Sequence, residues 1–238
     1  MSLPLSMEAP SGRILMREDL ELIQEMYHCG FVRYLDKPVI LSSGKESFFY
    51  IGGREDLTDN PRFSWLVGRK VAQTICCSYH QLSSRRPVCA IGIPTAGTSI
   101  AMAASLVSFG EHSRTGYGPI SYRIMREKKK YYGSGVNHWV NGQYDPKYIY
   151  WFIDNVVTDG ETKRVHFDQL AEDNYLPCIN PWLIFVDRQQ GGIQAMRNMG
   201  IELIEIVYYF LDINFAIGGM GLVTREKALR ATSEAMQE

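Results

Sequence analysis

The chain has 238 residues, 45% of them hydrophobic and 21% charged, with a formal net charge of −1. That length suits one large domain with a small appendage, and the near-neutral balance gives no electrostatic reason to expect nucleic acid or an anionic membrane as partner. No apolar run approaches the roughly 20 residues of a membrane helix, and the start "MSLPLSMEAPSGRILMRED" lacks the regions of a signal peptide, so the expected location is cytoplasmic.

The first element is an amphipathic helix in "MREDLELIQEMYHCG", with Leu20, Ile23 and Met26 on one face and Gly30 as its stop. "PVILSSGKESFFYIGG" predicts two short strands joined by a Ser-Gly turn. A helical period then runs through Phe63, Leu66, Val67, Val71 and Ile75, which places Cys76-Cys77 on a core-facing helix. "VCAIGIP" predicts a buried strand, "AGTSIAMAASLVSFG" a small-residue helix, and "PISYRIM" a strand followed by the charged "REKKKYYGSG". "YIYWFIDNVV" is a strand and "TKRVHFDQLAED" a helix, with "PWLIFVD" and "IELIEIVYYF" as further strands. "GGMG" at 218–221 predicts a turn before a last helix, "TREKALRATSEAMQE", capped by Thr224.

Continuous apolar strands alternating with helices imply an α/β fold, with a mostly parallel sheet of about five strands covered on both faces. The boundaries are a small N-terminal lobe over about residues 16–60, an α/β core over about 61–215 and a C-terminal helix within about 216–238. The five cysteines show no C-x-x-C spacing and read as buried thiols, and the five histidines lack zinc spacing, so no protein-ligated metal is expected.

The most informative stretch is "IYWFIDNVVTDGET". In an open α/β sheet, ligands bind at the carboxyl ends of the strands, and the first turn of the next helix offers free N–H groups and a positive dipole end to a phosphate. Gly160 lets the backbone close on the anion, Thr158 and Thr162 offer hydroxyls, and Asp154 and Asn155 can meet sugar hydroxyls. The plain alternative is an ordinary strand–turn–helix junction.

Apolar strand, acidic pair, two apolar residues and T-x-G-x-T resemble the 5-phosphoribosyl-1-pyrophosphate (PRPP) signature of type I phosphoribosyltransferases, and the rest of the chain resembles orotate phosphoribosyltransferases among them. "LSSGKESFFY" is similar to a segment that approaches the base, "IGIPTAGTSIAMA" to a pyrophosphate loop, "REKKKYYGSG" to a mobile loop and "VDRQQGG" to a base-binding D-R-Q segment. The resemblance implies a site with Asp154, Asn155, Arg126 and Lys130 in catalysis. PRPP would lie against Thr158, Asp159, Gly160, Glu161, Thr162, Thr95, Ala96 and Gly97, with Lys128 and Lys129 replacing lost loop charge. The base would meet Thr158, Arg188, Ser42 and Tyr50. It further implies Mg²⁺ carried mainly by the pyrophosphate, a nucleobase or nucleoside monophosphate as partner ligand, and a homodimer.

The departures from that pattern are specific. Ser42, Ala96, Glu127 and Tyr132 stand where the resembling family has basic groups, and Asn155 replaces the second acid. Transfer to orotate is therefore expected to be slow or absent, and the alternative is a catalytically weak nucleotide-binding or regulatory protein on the same scaffold.

Overall fold

The computed structural model describes residues 3–40, 44, 46–53, 55–81, 86–115, 118–132 and 138–236. The chain opens on a hairpin, β1 (Ser6–Glu8) and β2 (Ile14–Met16), followed by α1 (Arg17–His28). A second hairpin pairs β3 (Val32–Ile40) with β4 (Glu46–Ile51), antiparallel with a register shift between Tyr34 and Val39. The short α2 (Glu55–Thr58) and the long α3 (Pro61–Gln81) lead into the core, where β5 (Val88–Gly92), α4 (Ala96–Thr115), β6 (Ser121–Ile124), β7 (Ile149–Val157), α5 (Glu161–Glu172), β8 (Trp182–Asp187), α6 (Gly192–Asn198) and β9 (Ile204–Tyr209) alternate. Two helices close the chain, α7 (Phe210–Gly219) and α8 (Arg225–Ala235), the latter capped by the Thr224 hydroxyl, which accepts from Lys227 N–H.

The central sheet has the order β6-β5-β7-β8-β9 and every pairing in it is parallel. The inner strands β5 and β8 and the first half of β7 read as apolar runs because both of their faces are covered. Trp151 and Ile153 of β7 and Leu183 and Phe185 of β8 join one core cluster, while Tyr150, Phe152, Trp182 and Ile184 join another. Period-2 alternation thus loads both sides of the sheet. The first cluster also takes in Phe31, Val32 and Phe49 from the N-terminal segment and Ala231 and Ala235 from α8. Phe49 of the hairpin stacks on Phe210 of α7, ring centroids 3.9 Å apart. Asp19 fastens α1 to the same body, accepting from Tyr208 Oη at 2.7 Å and pairing with Lys70 Nζ at 2.6 Å.

Several local expectations are corrected. Cys77 is exposed beside a buried Cys76, and Cys178 is exposed as well, so the thiols are not uniformly buried. Gly218 and Gly219 end a helix, α7, rather than forming a turn. Strand β3 starts at Val32, ahead of the Pro38 expected from its apolar run. Tyr208 and Phe210 pack in the interior. Among the described residues no helix is long and apolar enough to cross a membrane.

Candidate active site

The strand order places a topological switch between β5 and β7, because the chain leaves β5 towards β6 on one side and returns as β7 on the other. Such a switch opens a crevice at the carboxyl ends. A cleft of about 580 Å³ lies there, lined by Thr95 and Ala96 after β5, Asp154, Asn155 and Val156 on β7, Thr158, Asp159, Lys163 and His166 around the start of α5, and Arg188 after β8; Ile40, Tyr50, Ile51 and Gly52 of the second hairpin form its far wall.

Asp154 is 4% exposed. Its Oδ1 accepts the Asn155 N–H at 2.7 Å, and its Oδ2 lies 2.5 Å from Lys163 Nζ. That approach is an ion pair, and a carboxylate oxygen has lone-pair capacity to accept from a ligand hydroxyl as well. The Asn155 amide donates to the Gly52 carbonyl at 3.1 Å and so ties the hairpin wall to β7. An ionised aspartate there has no hydrogen to offer that carbonyl.

Gly160 has φ +82° and forms the N-cap of α5. A Cβ on it would lie 2.9 Å from Ala195 Cβ and 3.0 Å from the Gly192 carbonyl oxygen, so α6 leaves no room for a side chain. Gly97 is held as tightly, since its Cβ would fall 2.1 Å from the Ile153 carbonyl oxygen. These glycines let the loop and the start of α4 seat against their neighbours at the crevice floor.

Arg188 is 3% exposed and lines the cleft. One terminal nitrogen donates to Ser47 Oγ at 3.3 Å and the guanidinium lies 4.5 Å from the Phe49 ring centre, while its Nε has no hydrogen-bond partner among the described residues. Burial pushes its pKa down to about 10, partly offset by Glu234 and Tyr50. It is still charged at neutral pH, in a place where a charge costs free energy until an anion meets it.

The structure thus brings together Asp154, Asn155, Thr158, Asp159, Thr95, Ala96, Arg188 and Tyr50 in one cleft, with Gly97 and Gly160 packed beneath it. Glu161 and Thr162 open α5; Ser42 lies outside the described residues, as do residues 133–137 of the charged loop. The loop cations are not among the lining residues. Arg126 donates to the His138 carbonyl at 3.3 Å, Lys129 pairs with Glu172, Lys130 lies over the Tyr132 ring and Lys128 is exposed. Glu127 turns to the loop after β5, where its carboxylate accepts from Thr95 Oγ1 at 2.7 Å. Sequence reasoning missed Lys163 and His166, which lie on the first turns of α5, where residue type alone does not mark a side chain that faces the cleft.

The chain matches no protein-family model. It is 26% identical over 181 residues to the orotate phosphoribosyltransferase of Nostoc sp., an alignment covering 76% of this chain and 79% of that one. Its fold matches the UMP synthase of Leishmania donovani with a TM-score of 0.68 at 20% identity, over 92% of this chain, which spans only 42% of that larger one. It also matches the orotate phosphoribosyltransferase of Francisella tularensis with a TM-score of 0.60 at 14% identity, over 90% of this chain and 96% of that one. With a five-stranded parallel sheet and its crevice at the strand ends, the chain has the type I phosphoribosyltransferase fold, and its sequence is similar to orotate phosphoribosyltransferases over most of its length.

Proposed function

We propose that this chain binds PRPP and orotate in the cleft and transfers ribose 5-phosphate to the base slowly, releasing pyrophosphate. The observation that carries the reading is Arg188. A buried guanidinium whose Nε has no partner among the described residues, lying over the Phe49 ring and facing a cleft, suits a planar anionic base that presents a carboxylate. The loop over residues 158–162 and the start of α5 suit the 5-phosphate, and Asp154 Oδ2 suits a ribose hydroxyl.

Transfer passes through a cationic, oxocarbenium-like sugar, so the buried Asp154 carboxylate stabilises the reacting ring while Arg188 fixes the base below it. Mg²⁺, arriving on the pyrophosphate, would neutralise charge on the leaving group. The chain's donors fit an ion delivered in that way: Asp154 is engaged by Lys163 and Asn155, while Glu127, held by Thr95, is the acid at the pyrophosphate loop. Ala96 and Glu127 supply no cation to the departing group, and each lost contact of that kind costs roughly 10²–10³ in rate in other enzymes. A cytoplasmic homodimer completes the proposal, and light scattering at micromolar concentration checks the dimer.

A steady-state assay with orotate, PRPP and Mg²⁺ tests the reading. The expected turnover lies below the usual range of about 1–10³ s⁻¹ and is lost in Arg188→Gln. The second reading, binding without turnover, is favoured by the commitment of Asn155 to Gly52 and of Glu127 to Thr95; PRPP binding with no product at all would select it.

A further inference from the structure

We infer that Lys163 is the cation that receives the ligand's phosphate in this cleft. The inference rests on the phosphoribosyl reading above and assigns to it a side chain outside the T-x-G-x-T stretch.

Lys163 stands on the first turn of α5, three residues after Gly160, with its side chain 8% exposed and its Nζ 2.5 Å from Asp154 Oδ2. A lysine on the first turn of a helix faces an unfavourable dipole end, and burying it adds a desolvation cost that one carboxylate seldom repays in full. Its position is therefore poor for stability and good for an anion. Among the described residues lining the cleft, the lysines and arginines are Lys163 and Arg188. They serve opposite ends: Arg188 is packed on Ser47 and Phe49 of the hairpin, whereas Lys163 belongs to the loop–helix junction. The same lining includes Asp154 and Asp159, so a phosphate dianion arriving at the junction without Lys163 would meet carboxylates. Neither Arg126 nor Lys129 lines the cleft.

An ammonium carries three N–H donors. Asp154 draws on one side of it, and a second hydrogen can go to a phosphate oxygen beside the free N–H groups of the helix start. Lys163 thereby bridges the phosphate and Asp154.

Calorimetric titration with orotidine 5'-monophosphate and with orotidine separates this role from a structural one, because the ratio of the two affinities isolates the phosphate. Lys163→Met should cut that ratio about 10- to 100-fold, the value of one charge-assisted hydrogen bond, while orotidine binds as before. Asp154→Asn should raise the ratio, since the carboxylate competing for the ammonium is gone and the shared ribose cancels. An unchanged ratio in a folded Lys163→Met, or a ratio that falls in Asp154→Asn, overturns the inference and leaves the phosphoribosyl reading standing. Should Lys163→Met not fold, the Asp154→Asn ratio decides alone. A wild-type chain that binds neither compound removes both.

Discussion

At the scale of single residues, two of the positions that depart from the resembling pattern, Asn155 and Glu127, have hydrogen-bond partners within the chain. Asn155 donates to the Gly52 carbonyl, and a Cβ on neighbouring Gly53 would come 2.6 Å from the same amide nitrogen, so hairpin and strand fit each other closely here. Asn155→Asp should therefore lower stability by about 1–3 kcal/mol in urea unfolding, by setting a carboxylate against a carbonyl, and should not by itself raise turnover. Equal stability of the variant would show the tie to be incidental. Glu127 makes the opposite kind of statement, placing negative charge where pyrophosphate is expected. In EDTA, Glu127→Gln should bind pyrophosphate more tightly than the wild type, and the advantage should shrink when Mg²⁺ is added; identical affinities without Mg²⁺ would contradict that placement. Asp154, Asn155 and Thr158 were legible where an apolar run gives way to polar residues, whereas Arg188 was legible only through the resemblance of its D-R-Q segment. Lys163 was not legible, since nothing in a helical first turn distinguishes a buried lysine from a solvated one.

At the scale of elements, α5 links the two halves of the site. Its start carries the loop at Gly160, and the residues at its end hold the return of the charged loop: Asp173 accepts the N–H groups of Trp139 at 2.7 Å and Val140 at 2.8 Å and lies 3.4 Å from His138 Nδ1, while Glu172 accepts from Trp139 Nε1 at 2.7 Å. Asp173→Ala strands two N–H groups, each worth about 1–3 kcal/mol when buried and unpaired, and should speed proteolysis between residues 126 and 139 more than elsewhere. Uniform cleavage along the chain would argue against a local anchor. Strand β8 ends on Asp187, whose carboxyl burial pushes up despite the Gln189 N–H it accepts at 2.8 Å. A raised folded value means that the ionised form opposes folding at neutral pH and that the penalty fades as the pH falls through that value. Asp187→Asn should thus stabilise the fold at pH 7, and its gain should shrink on acidification; a gain that grows towards low pH would reverse the sign. The strands and long helices were readable from apolar runs and periods. The hairpin β1–β2 was not, since three-residue strands carry no pattern, and neither was α7, whose apolar sequence continues the preceding strand without a break.

For the whole molecule, strand order does what no local motif can. It gathers the ends of β5, β7 and β8 around one crevice and brings the second hairpin over it, and two core clusters on the faces of the sheet hold that arrangement. Alternating strands and helices made the parallel sheet readable, but the contacts of Asn155 with Gly52 and of Arg188 with Ser47 span 103 and 141 residues and became visible only in the folded chain. The central claim is that this crevice accepts a phosphorylated ribose bearing an acidic planar base. Calorimetric titration of the intact chain with orotidine 5'-monophosphate tests it most directly. The account predicts saturable binding at a single site per chain, weakened at least about tenfold by Arg188→Gln through loss of one charge-assisted contact. Absence of binding by the folded wild-type chain, or equal binding by the Arg188→Gln variant, would contradict it.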